Sequence, residues 1–146
     1  MRNKKSAAIT TRKDPLPDIV LQAFDSYPEL ARGTLLDVRE LIFDVKNKDP
    51  DIGELQEALR WGELSFITDK PKTGSMIRLA LTKSGEPALF FHCGTSLIET
   101  FRAQYSHIFE FEKNRAMILV SPVEDTFSEI SHCIKQALRY KLDSSR

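Results

Sequence analysis

The sequence predicts an α+β domain: an antiparallel sheet of about five strands, with N-terminal helices, a short inserted helix and a C-terminal helix packed on it. Three observations carry this reading. Apolar residues recur at three- and four-residue spacing as far as Leu59. From Leu64 the period shortens to two, in short runs divided by turn formers. Helical spacing then returns once between the later strands and again at the end, and helices gathered on one face of an antiparallel sheet are the usual way to bury that face.

Residues 1–14 are basic, small and polar with no periodic apolar face, which reads as a flexible tail ahead of a single domain over residues 15–143. In DPLPDIVLQAFDSY, Ile19, Val20, Ala23 and Phe24 share one side of a short helix. Pro28 drives Tyr27 out of the α region and ends that helix. Pro28 also suits the first position of the next, whose stripe is Ala31, Leu35, Val38, Leu41, Ile42 and Val45. Asp49 and Pro50 are expected to open a third helix with Ile52, Leu55 and Leu59 on its buried face, and Gly62 to stop it in the left-handed conformation. Trp61 then falls on its last turn, where the indole is expected to cover the seam between helix and sheet.

LSFIT, SMIRLALT and ALFFHC read as three strands joined by DKPKTG and KSGEP. GTSLIETFRAQY is helical, with Leu97, Ile98, Phe101 and Tyr105 in phase and Ser96 with Glu99 in capping-box spacing. IFEFE and AMILVS flank KNR as a second hairpin in which Asn114 is the expected residue of positive φ. The last helix carries Phe127, Ile130, Ile134, Ala137, Leu138 and Lys141 on one face, and Thr126 with Glu129 repeats the capping-box pattern.

At 146 residues, with 41% hydrophobic and 29% charged side chains, the chain has the balance of one globular domain able to bury about two thirds of its unfolded surface. Twenty-one basic residues balance twenty-one acidic ones, so no net field recruits nucleic acid or an anionic membrane. No apolar run approaches the roughly 20 residues of a membrane helix. The opening MRNKKSAAITTRKD lacks the apolar centre of a secretory signal, so the expected location is cytoplasmic, with Cys93 and Cys133 reduced. There is no G-x-S-x-G elbow, no P-loop and no G-x-G-x-x-G, and Ser96, His107 and Asp125 lack triad spacing, so nothing marks the chain as an enzyme.

Four blocks in order, EALRWGELSF, LFFHCGTSLIETFRAQY, FEFEKNRAMI and CIKQALRYK, resemble the YdhG-like bacterial family, a domain of unknown function, over about Leu21 to Tyr140. Two positions depart from its pattern: Leu64 stands where that family usually has proline, and Lys113 where it usually has glycine. The resemblance implies a frataxin-like antiparallel sheet with helices, and iron handling as a function; it implies no catalytic residues.

Iron would need hard oxygen ligands. The candidates are Asp51, Glu54 and Glu57, spaced i, i+3, i+6 on the expected third helix, with Glu63 just beyond; a solvated outer helix face accounts for the same residues. His92-Cys93 and His132-Cys133 do not suit a shared ion, because strand neighbours point apart and Cys133 falls in phase with the core; both cysteines are expected to be buried. Gly94, Thr95 and Ser96 open a helix whose first N–H groups could hold an anion, with Arg102 and Arg115 adding charge if the fold brings them near; a helix cap by Thr95 or Ser96 accounts for the same turn and is the preferred reading. Trp61, Phe66 and Tyr105 could wall an apolar cleft edged by Glu57. The expected function is therefore a non-enzymatic binding protein for a metal ion, iron in the version the resemblance implies, or for a small ligand. The alternative is a protein-interaction module, a homodimer formed through a sheet edge or an apolar patch.

Overall fold

The computed structural model describes residues 15–144; the tail expected over residues 1–14 lies outside them. The described residues form an α+β domain with a six-stranded, wholly antiparallel sheet of order β1-β2-β3-β4-β6-β5. In chain order the elements are α1 (Asp18–Phe24), α2 (Glu29–Lys48), β1 (Glu54–Arg60), β2 (Glu63–Asp69), β3 (Ile77–Leu81), β4 (Pro87–Phe91), α3 (Leu97–Tyr105), β5 (Glu110–Glu112), β6 (Ala116–Ile118), a 3₁₀ turn (Val123–Asp125), α4 (Phe127–Leu138) and α5 (Tyr140–Ser144). No helix among the described residues is long and apolar enough to cross a membrane.

The helical half begins as its periodicity predicts. Val20, Ala23 and Phe24 of α1 are buried, as is the whole stripe of α2 from Ala31 to Val45. The third helix is not formed. Asp49 does accept a backbone N–H, that of Asp51 at 3.0 Å, but it closes a turn, and the chain then enters β1. Leu55 and Leu59 satisfy a helical spacing, yet they also lie four apart on one face of a strand, with Glu57 between them. Pairing decides the matter: β1 meets β2 in unbroken register from Glu54↔Asp69 to Arg60↔Glu63. Trp61 and Gly62, at φ 54° and 76°, are the two residues of the connecting hairpin loop. Gly62 thus has the left-handed φ expected of it, in a hairpin instead of a helix stop. Trp61 covers no seam; it stands 80% exposed at the hairpin tip.

The register sorts the sheet into two faces. Leu64, Leu79, Leu89 and Met117 are aligned across β2, β3, β4 and β6, and Phe66, Ile77 and Phe91 form the next row. All join the core with the α2 stripe and with Ile130, Cys133, Ile134, Ala137 and Leu138 of α4. Phe91 meets Phe101 of α3 edge to face at 5.2 Å, and Phe43 of α2 meets Phe66 at 5.9 Å. The other face carries Ser65, Arg78, Phe90 and Ala116 in one row.

Three further expectations are corrected. Neither capping box forms: Ser96 and Thr126 make no side-chain cap bond, and the Thr126 hydroxyl is buried without a partner. In the β5–β6 turn the positive φ, 51°, belongs to Lys113 instead of Asn114. The last helix breaks at Arg139 into α4 and α5, and at the break the Lys141 N–H donates to the Thr73 carbonyl at 2.8 Å while the Arg139 side chain reaches Asp49 at 3.0 Å and Asp51 at 3.5 Å; Lys141, beyond the break, is exposed and leaves the core face.

Candidate functional site: a cation-rimmed cavity

Two segments far apart in sequence face each other beside the end of β4. The first is the turn that follows Phe91. The His92 carbonyl accepts from the Thr95 hydroxyl at 2.8 Å and from its N–H at 3.1 Å, and His92 Nδ1 accepts from the Gly94 N–H at 2.9 Å. The Thr95 hydroxyl in turn accepts from the Leu97 N–H at 3.3 Å, so of the two expected caps it is Thr95, not Ser96, that satisfies the start of α3. The Ser96 N–H instead donates to the Tyr140 hydroxyl at 3.3 Å, tying this turn to α5.

The second segment is the β2–β3 loop, held by two threonines. The Thr68 hydroxyl accepts the N–H groups of Thr73 (3.1 Å) and Gly74 (2.9 Å). The Thr73 hydroxyl accepts from the Gly53 N–H at 3.0 Å and donates to the Leu138 carbonyl at 2.9 Å. Backbone bonds from Ser75 to Ala137 (2.9 Å) and from Lys141 to Thr73 (2.8 Å) complete the seam with the α4–α5 corner. Contact is close enough that a Cβ on Gly74 would lie 2.5 Å from the Leu138 backbone, so only glycine fits there.

Between the segments lies a cavity of about 390 Å³. Its apolar wall is Ile67 and Met76; its polar groups are Thr68, Ser75, His92, Thr95 and Tyr140; Lys72 and Lys141 stand at its rim. Among the described residues no carboxylate lines it. Hydroxyl donors and ammonium groups over an apolar wall, without an acid, suit a small anion with some apolar surface.

Of the candidate ligand-site residues singled out from sequence, only Thr95 lines this cavity; Gly94 and Ser96 flank it in the same turn, and the rest are dispersed. Phe66 is wholly buried in the core. Trp61 lies over the guanidinium of Arg78 at 5.7 Å, which Phe90 flanks at 5.1 Å. The Tyr105 hydroxyl pairs with His132 Nδ1 at 2.6 Å. Arg102 donates to the Lys113 carbonyl at 2.6 Å and lies over Phe111. Arg115 lines a second hollow of about 300 Å³ with Glu63, Arg78 and Lys83. The cleft of Trp61, Phe66 and Tyr105 is not formed.

The carboxylates proposed for a metal are held apart by arginines. Glu57 is bonded through both oxygens by Arg39 (2.5 and 2.9 Å), Glu63 pairs with Arg78, Asp51 lies 3.5 Å from Arg139, and Glu54 stands exposed at the start of β1. Among the described residues no group of three or more His, Cys, Asp or Glu side chains is placed to hold a metal ion. Cys133 is buried as expected, and burial followed by the nearby Glu129 pushes its thiol well above the usual range. Cys93 is exposed, against expectation, because β4 ends at Phe91 and leaves it in the turn.

Sequence reasoning missed Lys72, Ser75, His92, Tyr140 and Lys141 as parts of one site. Tyr140 and Lys141 read only as the last turn of a helix, and Lys72 and Ser75 only as turn residues. No family model, no curated protein and no solved structure matches the chain.

Proposed function

We propose that the protein is a non-enzymatic binding protein for a small anionic ligand, held in the cavity between the Thr95 turn and the Lys72–Met76 loop. The observation that carries this reading is the composition of the cavity lining: two lysines, a histidine and four hydroxyl-bearing residues, with no acid among the described residues to oppose an anion. A carboxylate or phosphate would accept from the Ser75 and Tyr140 hydroxyls, the His92 ring N–H and the two ammonium groups, with its apolar part against Ile67 and Met76. The iron-handling version has less support, since Arg39, Arg78 and Arg139 already neutralise three of the four carboxylates it would use. Kinship with the YdhG-like family belongs to the same proposal; it is supported by the left-handed φ of Lys113, at the position where that family has glycine.

The test is a titration of the ¹⁵N-labelled protein with citrate and with inorganic phosphate at low ionic strength. The expected result is saturable movement of the Thr95, Ser75 and Tyr140 signals, weakened at least tenfold in a Lys72→Gln/Lys141→Gln variant. Movement that is absent, or that is unchanged in the double variant, would refute the reading. Ferrous ion in a parallel titration distinguishes the metal version, which requires shifts at Asp51, Glu54 and Glu57 instead.

A further inference from the structure

The sheet has two edges, β1 and β5, and they differ in what they present. β5 has three residues; β1 has seven, with no proline and no bulge in its register. In a two-residue hairpin loop the residues flanking the turn form a hydrogen-bonded pair. Arg60, Ala58, Gln56 and Glu54 therefore direct their backbone groups into β2, while Leu55, Glu57 and Leu59 direct theirs outward. Among the described residues, none of the backbone hydrogen bonds made outside helices and ladders involves those three. Such a row of donors and acceptors is a template for one more strand.

The side chains specify which strand. Glu54-Leu55-Gln56-Glu57-Ala58-Leu59-Arg60 is antisymmetric in charge about Glu57. Laid antiparallel against itself on a two-fold axis at Glu57, it sets Glu54 opposite Arg60 of the partner subunit, Leu55 opposite Leu59 of the partner subunit, and Gln56 opposite Ala58 of the partner subunit. Both ends of the pairing then carry opposite charges, on residues that are exposed in the single chain. Leu55 and Leu59, half-buried at the rim of the core, would be covered by their counterparts. An inward-pointing charge often guards an edge strand against such pairing. Glu57 is that charge here, but Arg39 of its own chain bonds both its oxygens, so the guard is neutralised. The backbone row, the charge pattern and the leucine rim all use the same register.

We propose that the protein forms a homodimer in which β1 pairs antiparallel with β1 of a second copy about a two-fold axis at Glu57, joining the two sheets into one.

The test combines sedimentation velocity over a wide concentration range with amide exchange of the full chain. The expected result is a monomer–dimer equilibrium in which the Leu55, Glu57 and Leu59 amides gain protection as concentration rises. Glu54→Arg should raise the dissociation constant by roughly tenfold or more, since each dimer then holds two like-charged pairs. Within the monomer the same change faces Asp69 across β1–β2 and does not harm the fold. Glu54→Arg/Arg60→Glu restores opposite charges and should restore the dimer. A chain that stays monomeric at every concentration overturns the proposal, as does a dimer indifferent to Glu54→Arg. Protection of the three amides that does not vary with concentration also overturns it, because it would mean that the edge is covered from within the same chain.

Discussion

Thr73 offers the sharpest test of how the cavity wall is held. The residue is 1% exposed, and its hydroxyl accepts from the Gly53 N–H at 3.0 Å and donates to the Leu138 carbonyl at 2.9 Å, so one group joins the entry of β1, the β2–β3 loop and the end of α4. Thr73→Val keeps the shape and removes the hydroxyl. Two backbone groups then lose their partner in a site that offers no other, and each unsatisfied group costs about 1–3 kcal/mol. The added methyl recovers about 1 kcal/mol of transfer energy. The net loss is about 1–5 kcal/mol, read as a lower urea midpoint with unchanged slope. Thr73→Ser retains the hydroxyl and loses one methyl, so about 1 kcal/mol is expected there. Valine within about 0.5 kcal/mol of wild type, or serine costing more than valine, would show that packing, not hydrogen bonding, anchors this loop.

Arg39 is 1% exposed and bonds both oxygens of Glu57; Arg39→Met should cost about 3 kcal/mol in urea unfolding by stranding that carboxylate, and Arg39→Met/Glu57→Met should cost less than the single change. Burial raises the Asp49 pKa, but the Asp51 amide and the Arg139 guanidinium outweigh it and hold the carboxyl below its ordinary range. The ionised form is therefore favoured by folding, and its stability is present above the unfolded-state pKa and lost as pH falls through the depressed value. Asp49→Asn should accordingly cost about 1–2 kcal/mol at neutral pH, with the gap to wild type closing in acid, checked by urea midpoints across pH. Lys113 sits at φ 51° in an exposed turn, so Lys113→Gly should raise stability by up to about 1 kcal/mol in the same assay.

The long α2 stripe was legible because six apolar positions at helical spacing admit no other element, and the strands from Leu64 onward because alternation and turn formers agree. The segment from Asp49 to Arg60 was misread because it contains only three large apolar residues, and Ile52, Leu55 and Leu59 fit a helix as well as a strand. What resolves it is not local. Leu55, Glu57 and Leu59 lie opposite Thr68, Phe66 and Leu64, mirrored about Trp61-Gly62, so the hairpin is visible once both sides of the turn are read together. Tryptophan at the first position of such a loop hid the signal, since Asn, Asp or Gly usually stands where φ is positive.

The candidate site was legible only in its first half, for a reason that lies in the chain's connectivity. Gly94, Thr95 and Ser96 announce themselves as a strand-to-helix turn from neighbours in sequence, and Thr95 does the capping. Lys72 and Lys141 reach the same cavity only because the Thr73 hydroxyl selects the Leu138 carbonyl, 65 residues away, and because the C-terminal helix breaks at Arg139 to turn Tyr140 toward Ser96. Asp49 and Asp51, read as the start of a helix and as an iron ligand, pair with Arg139 at that break. The acidic pair thus contributes to the site from behind it: by pairing with Arg139 it ties the α4–α5 corner to the turn before β1, while Thr73 and Ser75 hold that corner to the β2–β3 loop, and the charge that the described residues leave facing the cavity is positive.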